Sequence, residues 1–161
     1  MSKRIGLDSY FSLISHAVAL RSTCGRRKVG AVLVKEGRII STGYNGAPPG
    51  MQHCSDSGCV KHGENCVNTI HAETNCIIRA REQGDTLYCT DKPCLSCLKA
   101  AISHNPKIRI VYCRDYEDPA RETFLNAHGD DVSFTMEKYR IDFSPLFYDI
   151  LNAAEQGNYQ E

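Results

Sequence analysis

The 161-residue chain has no surplus of either charge: 19 Lys and Arg balance 19 Asp and Glu, and the pI lies near 7. Proteins whose main task is to coat nucleic acid carry a basic surplus, so that class is set aside, a local basic patch excepted. The chain also lacks any apolar run of the length a bilayer demands, and residues 1–8 lack the apolar core of a signal peptide. No internal repeat and no domain linker interrupts it. One domain spanning 1–161, with one core and a polar, frayed tail at about 156–161, is expected, in a soluble cytoplasmic protein.

What the chain has in excess is cysteine, nine in all. A disulfide scaffold fits badly, because the count is odd and a chain this long buries a core without staples. Metal ligation by reduced thiols is the better account. The informative spacing is His71-Ala72-Glu73 followed by Pro93-Cys94-Leu95-Ser96-Cys97. One imidazole and two thiolates supply three zinc ligands, the number a catalytic zinc takes while keeping a position open for water. Cys94 and Cys97 sit in the first turn of a helix read from Cys94 to His104, on one face, where free backbone amides favour thiolate. Pro93, with no amide to leave unpaired, suits the start of that helix. His71 opens a second apolar helix, from Ala72 to about Arg81. Glu73 then leans over a metal-bound water without binding the metal, which is where a proton shuttle belongs. A redox Cys-x-x-Cys pair, or half of a four-ligand structural zinc, accounts for the thiols but leaves Glu73 and Pro93 unexplained.

Periodicity predicts the rest. Residues 8–22 read as an amphipathic helix capped by Asp8 or Ser9, with Phe11, Ile14 and Val18 at helical spacing. A strand over 29–34, a turn at Lys35–Arg38 and a strand over 38–42 make a hairpin. Residues 43–70 read as one long Gly-rich loop, a length that is usually functional. Strands at 86–90, 108–113 and near 132–136 alternate with helices at 94–104, near 119–127 and at 145–154. This alternation implies a parallel sheet between helices, made mixed by the opening hairpin. Ligands then sit beyond the carboxyl ends of the parallel strands, where Cys94 and the stretch from Tyr112 to Tyr116 both fall.

These residues resemble the deoxycytidylate (dCMP) deaminases of bacteria and phages, within the zinc-dependent nucleobase deaminases whose signature is His-x-Glu followed by Pro-Cys-x-x-Cys. The resemblance covers roughly residues 9–140. It runs through Arg21-Ser22-Thr23-Cys24, Lys28-Val29-Gly30-Ala31-Val32, Gly43-Tyr44-Asn45-Gly46, His53-Cys54, Gly58-Cys59, Cys66 and Thr69-Ile70-His71. It implies the three-layer α/β cytidine-deaminase fold, a mixed five-stranded sheet flanked by helices. It also implies hydrolysis of dCMP to dUMP, which feeds dTMP synthesis; whether dCTP joins or replaces dCMP as substrate stays open. His71, Cys94 and Cys97 would hold the catalytic zinc. Glu73 would carry a proton from the attacking water to N3 of cytosine and then to the leaving amine.

For the substrate, Asn45 is read as the sugar-orienting residue; the competing reading is a simple Asn-Gly turn. Arg26, Arg27 and Lys28 form a cationic run from which the 5′-phosphate ligand is drawn, Arg26 and Lys28 first, unless the run is merely a solvated face. Ala72 is placed against the substrate, and Tyr116 either borders the base or packs. Cys24, Cys54, Cys59 and Cys66 are assigned to a second, structural zinc, with His53 and His62 as substitutes for one thiol. The resemblance makes Cys24 and Cys54 the surest of these ligands. Cys76, Cys89 and Cys113 read as buried small hydrophobes. Relatives often carry Arg where this chain has Asn68, which removes a cation from any effector site. The resemblance implies a homohexamer responsive to dCTP and dTTP, in the cytoplasm (of a host cell, if the source is a phage), with neither nucleic acid nor membrane as partner. The competing readings are a deaminase of tRNA adenosine or single-stranded DNA, and a non-catalytic zinc-stabilised interaction module.

Overall fold

A computed structural model describes residues 4–156. Its helices are α1 (Leu7–Ala19), α2 (Cys54–Ser57), α3 (Ala72–Arg79), α4 (Leu95–His104), α5 (Pro119–His128) and α6 (Phe143–Gln156). Its strands are β1 (Gly30–Lys35), β2 (Arg38–Tyr44), β3 (Lys61–His62), β4 (Asn65–Cys66), β5 (Thr86–Asp91), β6 (Arg109–Arg114) and β7 (Thr135–Lys138). Five strands form one sheet in the order β2-β1-β5-β6-β7, and β3 and β4 form a separate small hairpin. Strand β1 runs antiparallel to both of its neighbours, β2 and β5, whereas β5, β6 and β7 run parallel, as the pattern of alternating elements implies.

Alternation along β1 divides the core into two layers. Ala31 and Leu33 face a cluster with Ala72 and Cys76 of α3, Leu98 and Ala101 of α4, and Ile110 of β6; Phe124 and Leu125 of α5 pack against it. Val32 and Val34 face the opposite side, where Phe11 of α1 meets Tyr88 and Val111. The helices thus lie on both faces of the sheet. Two glycines permit their close approach. A Cβ on Gly30 would come within 2.1 Å of the Ser15 carbonyl of α1, and one on Gly43 within 2.4 Å of backbone atoms of Ala72 and Cys76.

Several expectations are corrected. Asp8 does not cap α1. Its N-cap is Gly6, and the Asp8 carboxylate instead accepts two bonds from Arg109, at 2.8 and 2.9 Å, and one from Tyr88 at 2.7 Å. A distant guanidinium outcompetes the local amides. The stretch 43–70 is not one uninterrupted loop, since α2, β3 and β4 interrupt it. A 3-10 turn over Gly129–Asp131 delays the last strand to Thr135. The final helix starts at Phe143 and includes Gln156; the rest of the expected polar tail, 157–161, lies outside the described residues, as do residues 1–3. Among the described residues no helix is long and apolar enough to cross a membrane.

Candidate functional site

The carboxyl ends of β5 and β6 and the start of β1 share one rim, and a cavity of about 340 Å³ opens there. Two helix N-termini project into it. His71 is the N-cap of α3 and Cys94 the N-cap of α4; neither uses its side chain as a cap, which leaves ring and thiol free. The His71 Nδ1 lies 3.3 Å from the Cys94 Sγ and 3.4 Å from the Cys97 Sγ. Ligands about 2.0 to 2.3 Å from a tetrahedral zinc stand ~3.5 Å apart, so this donor set fits the ion without rearrangement. The surroundings favour thiolate. A hydrogen bond from the Cys97 thiol pulls Cys94 down to about 3, helped by the His71 ring and the Ser96 hydroxyl at 3.1 Å, and the sharing raises Cys97 in turn. The same Cys94 contact raises His71.

Glu73, two residues into α3, lies in the cavity wall and is 4% exposed. Burial pushes its carboxyl up to about 7, so both protonation states are accessible near neutral pH. Ala72 and Tyr116 line the same cavity.

Asn45 also faces it, 7% exposed, and is more than a turn residue. Its Oδ1 accepts from the Ser22 hydroxyl at 2.5 Å and the Val29 amide at 2.9 Å, and its Nδ2 donates to the Arg27 carbonyl at 2.8 Å. One amide side chain therefore holds the whole 22–29 loop against the site. Next to it, Gly46 and Ile70 exchange backbone bonds at 3.2 and 2.9 Å, which fixes the approach to His71.

Of the cationic run, Arg26 and Arg27 line the cavity and Lys28 does not; Val29 does. Arg26 lies in a bend ahead of β1, which lets two successive arginines reach the cavity. Lys92 lines the cavity unforeseen, paired with Glu122 at 3.2 Å. A further residue missed from the sequence is Arg121, whose side chain is almost wholly buried. It donates to the Pro93 carbonyl at 2.7 Å and the Tyr116 carbonyl at 2.8 Å, tying both stretches to α5. Nothing in its helical context distinguished it from a solvated arginine.

The outlying thiols come together in part. Cys54, Cys59 and Cys66 hold their sulfurs within 4.8 Å of one another, with 3.6 Å between Cys54 and Cys66. The Thr69 hydroxyl, 3.2 Å away, lowers Cys66 to about 6, while its bond to Cys66 raises Cys59 to about 11. Cys24 is not in this group: the 22–29 loop, held by Asn45, places it in the wall of the main cavity, where Cys66 also reaches. His53 has a buried Nδ1 without a hydrogen-bond partner among the described residues. His62 is exposed. Cys76 and Cys89 are buried in the core as expected, and Cys113 is half-buried. All nine cysteines are free.

The chain is similar to several known proteins. ComE operon protein 2 of Bacillus subtilis is 37% identical over 147 residues, covering 87% of this chain and 75% of that protein. The deoxycytidylate deaminase of Mycobacterium phage D29 is 39% identical, covering 67% of this chain and 94% of the phage protein. The chain spans only 38% of the Saccharomyces cerevisiae deoxycytidylate deaminase, to which it is 37% identical. The crystal structure of the cyanophage S-TIM5 dCMP deaminase with dCMP and dUMP superimposes with a TM-score of 0.69 at 26% identity, over 86% of this chain and all of that one. It has the expected mixed sheet between helices. Residues 6–113 match the model of the cytidine and deoxycytidylate deaminase zinc-binding region, and the chain belongs to that family.

Proposed function

We propose that this protein hydrolyses dCMP to dUMP and ammonia. The observation that carries the reading is a buried carboxyl, Glu73, that lines one cavity with His71, Cys94, Arg26 and Arg27, beside the cluster of His71, Cys94 and Cys97 donors. Zinc, when bound to these three residues, supplies a water acidic enough to attack near neutral pH. Glu73 would take one proton from the attacking water and deliver it to N3 of the cytosine as the oxygen adds to C4. It would then take the proton of the new C4 hydroxyl and pass it to the exocyclic nitrogen, which leaves as ammonia while C4–O becomes the carbonyl of uracil. Asn45, with one N–H uncommitted among the described residues, orients the sugar. Ala72 and Tyr116 border the base, and Arg26 and Arg27 meet the 5′-phosphate in place of the expected pair Arg26 and Lys28. The names of the phage relatives support dCMP as substrate.

The test is a substrate panel of cytidine, dCMP, dCTP and an adenosine-bearing tRNA, read as ammonia release. Turnover of dCMP above the rest is expected, and selective turnover of the tRNA would replace this reading with a polynucleotide deaminase. Glu73→Ala should lower kcat by at least about 10³-fold with zinc content unchanged, because Glu73 moves protons and does not ligate. Loss of that zinc in the variant would reassign Glu73 as a ligand.

A second, structural zinc is proposed at Cys54, Cys59 and Cys66, whose 3.6 Å Cys54–Cys66 spacing suits tetrahedral ligation. Neither Cys24 nor His53 lies within the three-thiol cluster, so the fourth position falls to one of the two on metal binding: Cys24, as the resemblance implies, or His53 with its unpartnered Nδ1. Purified protein should then hold about two zinc ions per chain, and Cys54→Ser should bring the count toward one and loosen the 43–70 region to protease. A wild-type count of one, with Cys54, Cys59 and Cys66 titratable in the native state, removes the second site. A cytoplasmic setting, a homohexameric assembly and control by dCTP and dTTP complete the proposal.

A further inference from the structure

Asp91, the last residue of β5, lies in the cavity wall, yet its carboxylate is spoken for within the protein. The side chain is 5% exposed and accepts four hydrogen bonds. Arg27 donates through Nε at 2.7 Å and also through Nη2 to Oδ1; the Arg114 Nη2 and the Thr90 hydroxyl donate to Oδ2, each at 2.7 Å. A carboxylate has about four acceptor positions, so Asp91 has none left for a substrate N–H or O–H. A bare carboxylate would also repel a phosphate. Here two guanidiniums on one carboxylate leave the rim with a net positive charge.

Arg27 is held from several sides. Its Nη2 also reaches the Asp115 carbonyl at 3.3 Å, and its guanidinium carbon stands 5.4 Å from the centre of the Tyr116 ring. Its two Nη1 hydrogens have no acceptor among the described residues, and Arg27 lines the cavity. Arg114 completes the frame by donating to the Lys28 carbonyl at 3.0 Å, which ties the end of β6 to the loop bearing Arg27.

We propose that Asp91 is a positioning residue for substrate selection: it fixes Arg27 against Tyr116, so that the free edge of the guanidinium is preorganised for the 5′-phosphate and the enzyme prefers the nucleotide to the nucleoside. This rests on the dCMP reading above. An unfixed arginine would lose its rotamer freedom on every binding event, a cost the Asp91 fork removes beforehand.

The experiment measures kcat and KM on dCMP and on deoxycytidine for the wild type, Asp91→Asn, Arg27→Ala and the double variant, with zinc content and thermal unfolding recorded for each. In Asp91→Asn the loss on dCMP should lie in KM, and the dCMP-to-deoxycytidine ratio of kcat/KM should fall roughly tenfold. Arg27→Ala should lower the ratio at least as far, and adding Asp91→Asn to it should lower the ratio no further. Additive losses, equal losses on both substrates, or a lower KM for dCMP in Asp91→Asn would overturn the proposal; the last would mean that Asp91 acts only as an opposing charge. If Asp91→Asn does not fold, Arg27→Ala decides alone, and an unchanged ratio overturns it. A wild type that turns over deoxycytidine as well as dCMP would overturn the substrate reading and this proposal with it; a selective wild type with an indifferent Asp91→Asn overturns only the latter.

Discussion

Arg121 does for the metal side of the cavity what Asn45 does for the nucleotide side. Its side chain, 2% exposed, reaches the carbonyls of Pro93 and Tyr116, and its carboxylate partner, Glu122, is half exposed. Replacing it by Met keeps much of the packing volume but strands the buried Pro93 carbonyl and frees the part-buried Tyr116 carbonyl, a loss of about 1–3 kcal/mol. Because Pro93 precedes Cys94, zinc should also be lost faster to a competing chelator. Lower stability with unchanged chelator resistance would confine Arg121 to supporting the fold. The sequence offered no handle on this residue: an arginine in a mixed helix reads as solvated, and only the tertiary position of α5 reveals its burial. His71, Glu73, Cys94 and Cys97 were legible because metal chemistry demands particular residue types at local spacings. The split of Arg26, Arg27 and Lys28 was not, because it depends on how the irregular loop ahead of β1 is folded against the cavity. Which of the outlying thiols converge was equally unreadable: Cys54, Cys59 and Cys66 gather in the 43–70 region, whereas Cys24 sits in the 22–29 loop, and only the folded chain sets the distance between the two segments.

Strand β2 and helix α3 touch backbone to backbone at Gly43, and this contact sets the height of His71 and Glu73 in the cavity. A methyl group there would meet Ala72 and Cys76 backbone atoms at 2.4 Å, a separation that forces the helix to move. Gly43→Ala should therefore cost about 1–3 kcal/mol of stability. It should reduce kcat more than it raises KM, by up to about 10²-fold for a displacement near 1 Å. A variant of unchanged kcat and lowered melting temperature would mean that α3 tilts without moving its first turn. The strongly periodic elements were readable along the chain, including the hairpin closed by Glu36 and Gly37 at φ 49° and 75°. The two-residue strands β3 and β4 and the four-residue α2 were not. They are too short to show a period and are held instead by backbone bonds such as Val67 to Val60 at 3.0 Å and by the converging thiols.

At the level of the whole molecule, the apolar surface asks for a partner. Helices α3 and α4 carry apolar residues on more than one flank. Leu98 and Ala101 are buried and Ile77 and Ile102 pack on the core, but Ile78 is 64% exposed. On α6, Phe147 is also 64% exposed, with Ile150 and Leu151 each 47%. Four large apolar side chains on two helices exceed the isolated exposures normal for a monomer. Closed symmetric assembly covers such faces in most soluble oligomers, and the resemblance implies six copies. Light scattering at micromolar concentration should return six chain masses of 17.9 kDa each. Ile78→Glu and Phe147→Glu each place a charge on one of the two faces, so the variant that lowers the mass identifies the face in contact. A monomer with full dCMP deaminase activity would remove both the assembly and any need for it in catalysis. A hexamer indifferent to both substitutions would keep the assembly and move the interface off α3 and α6.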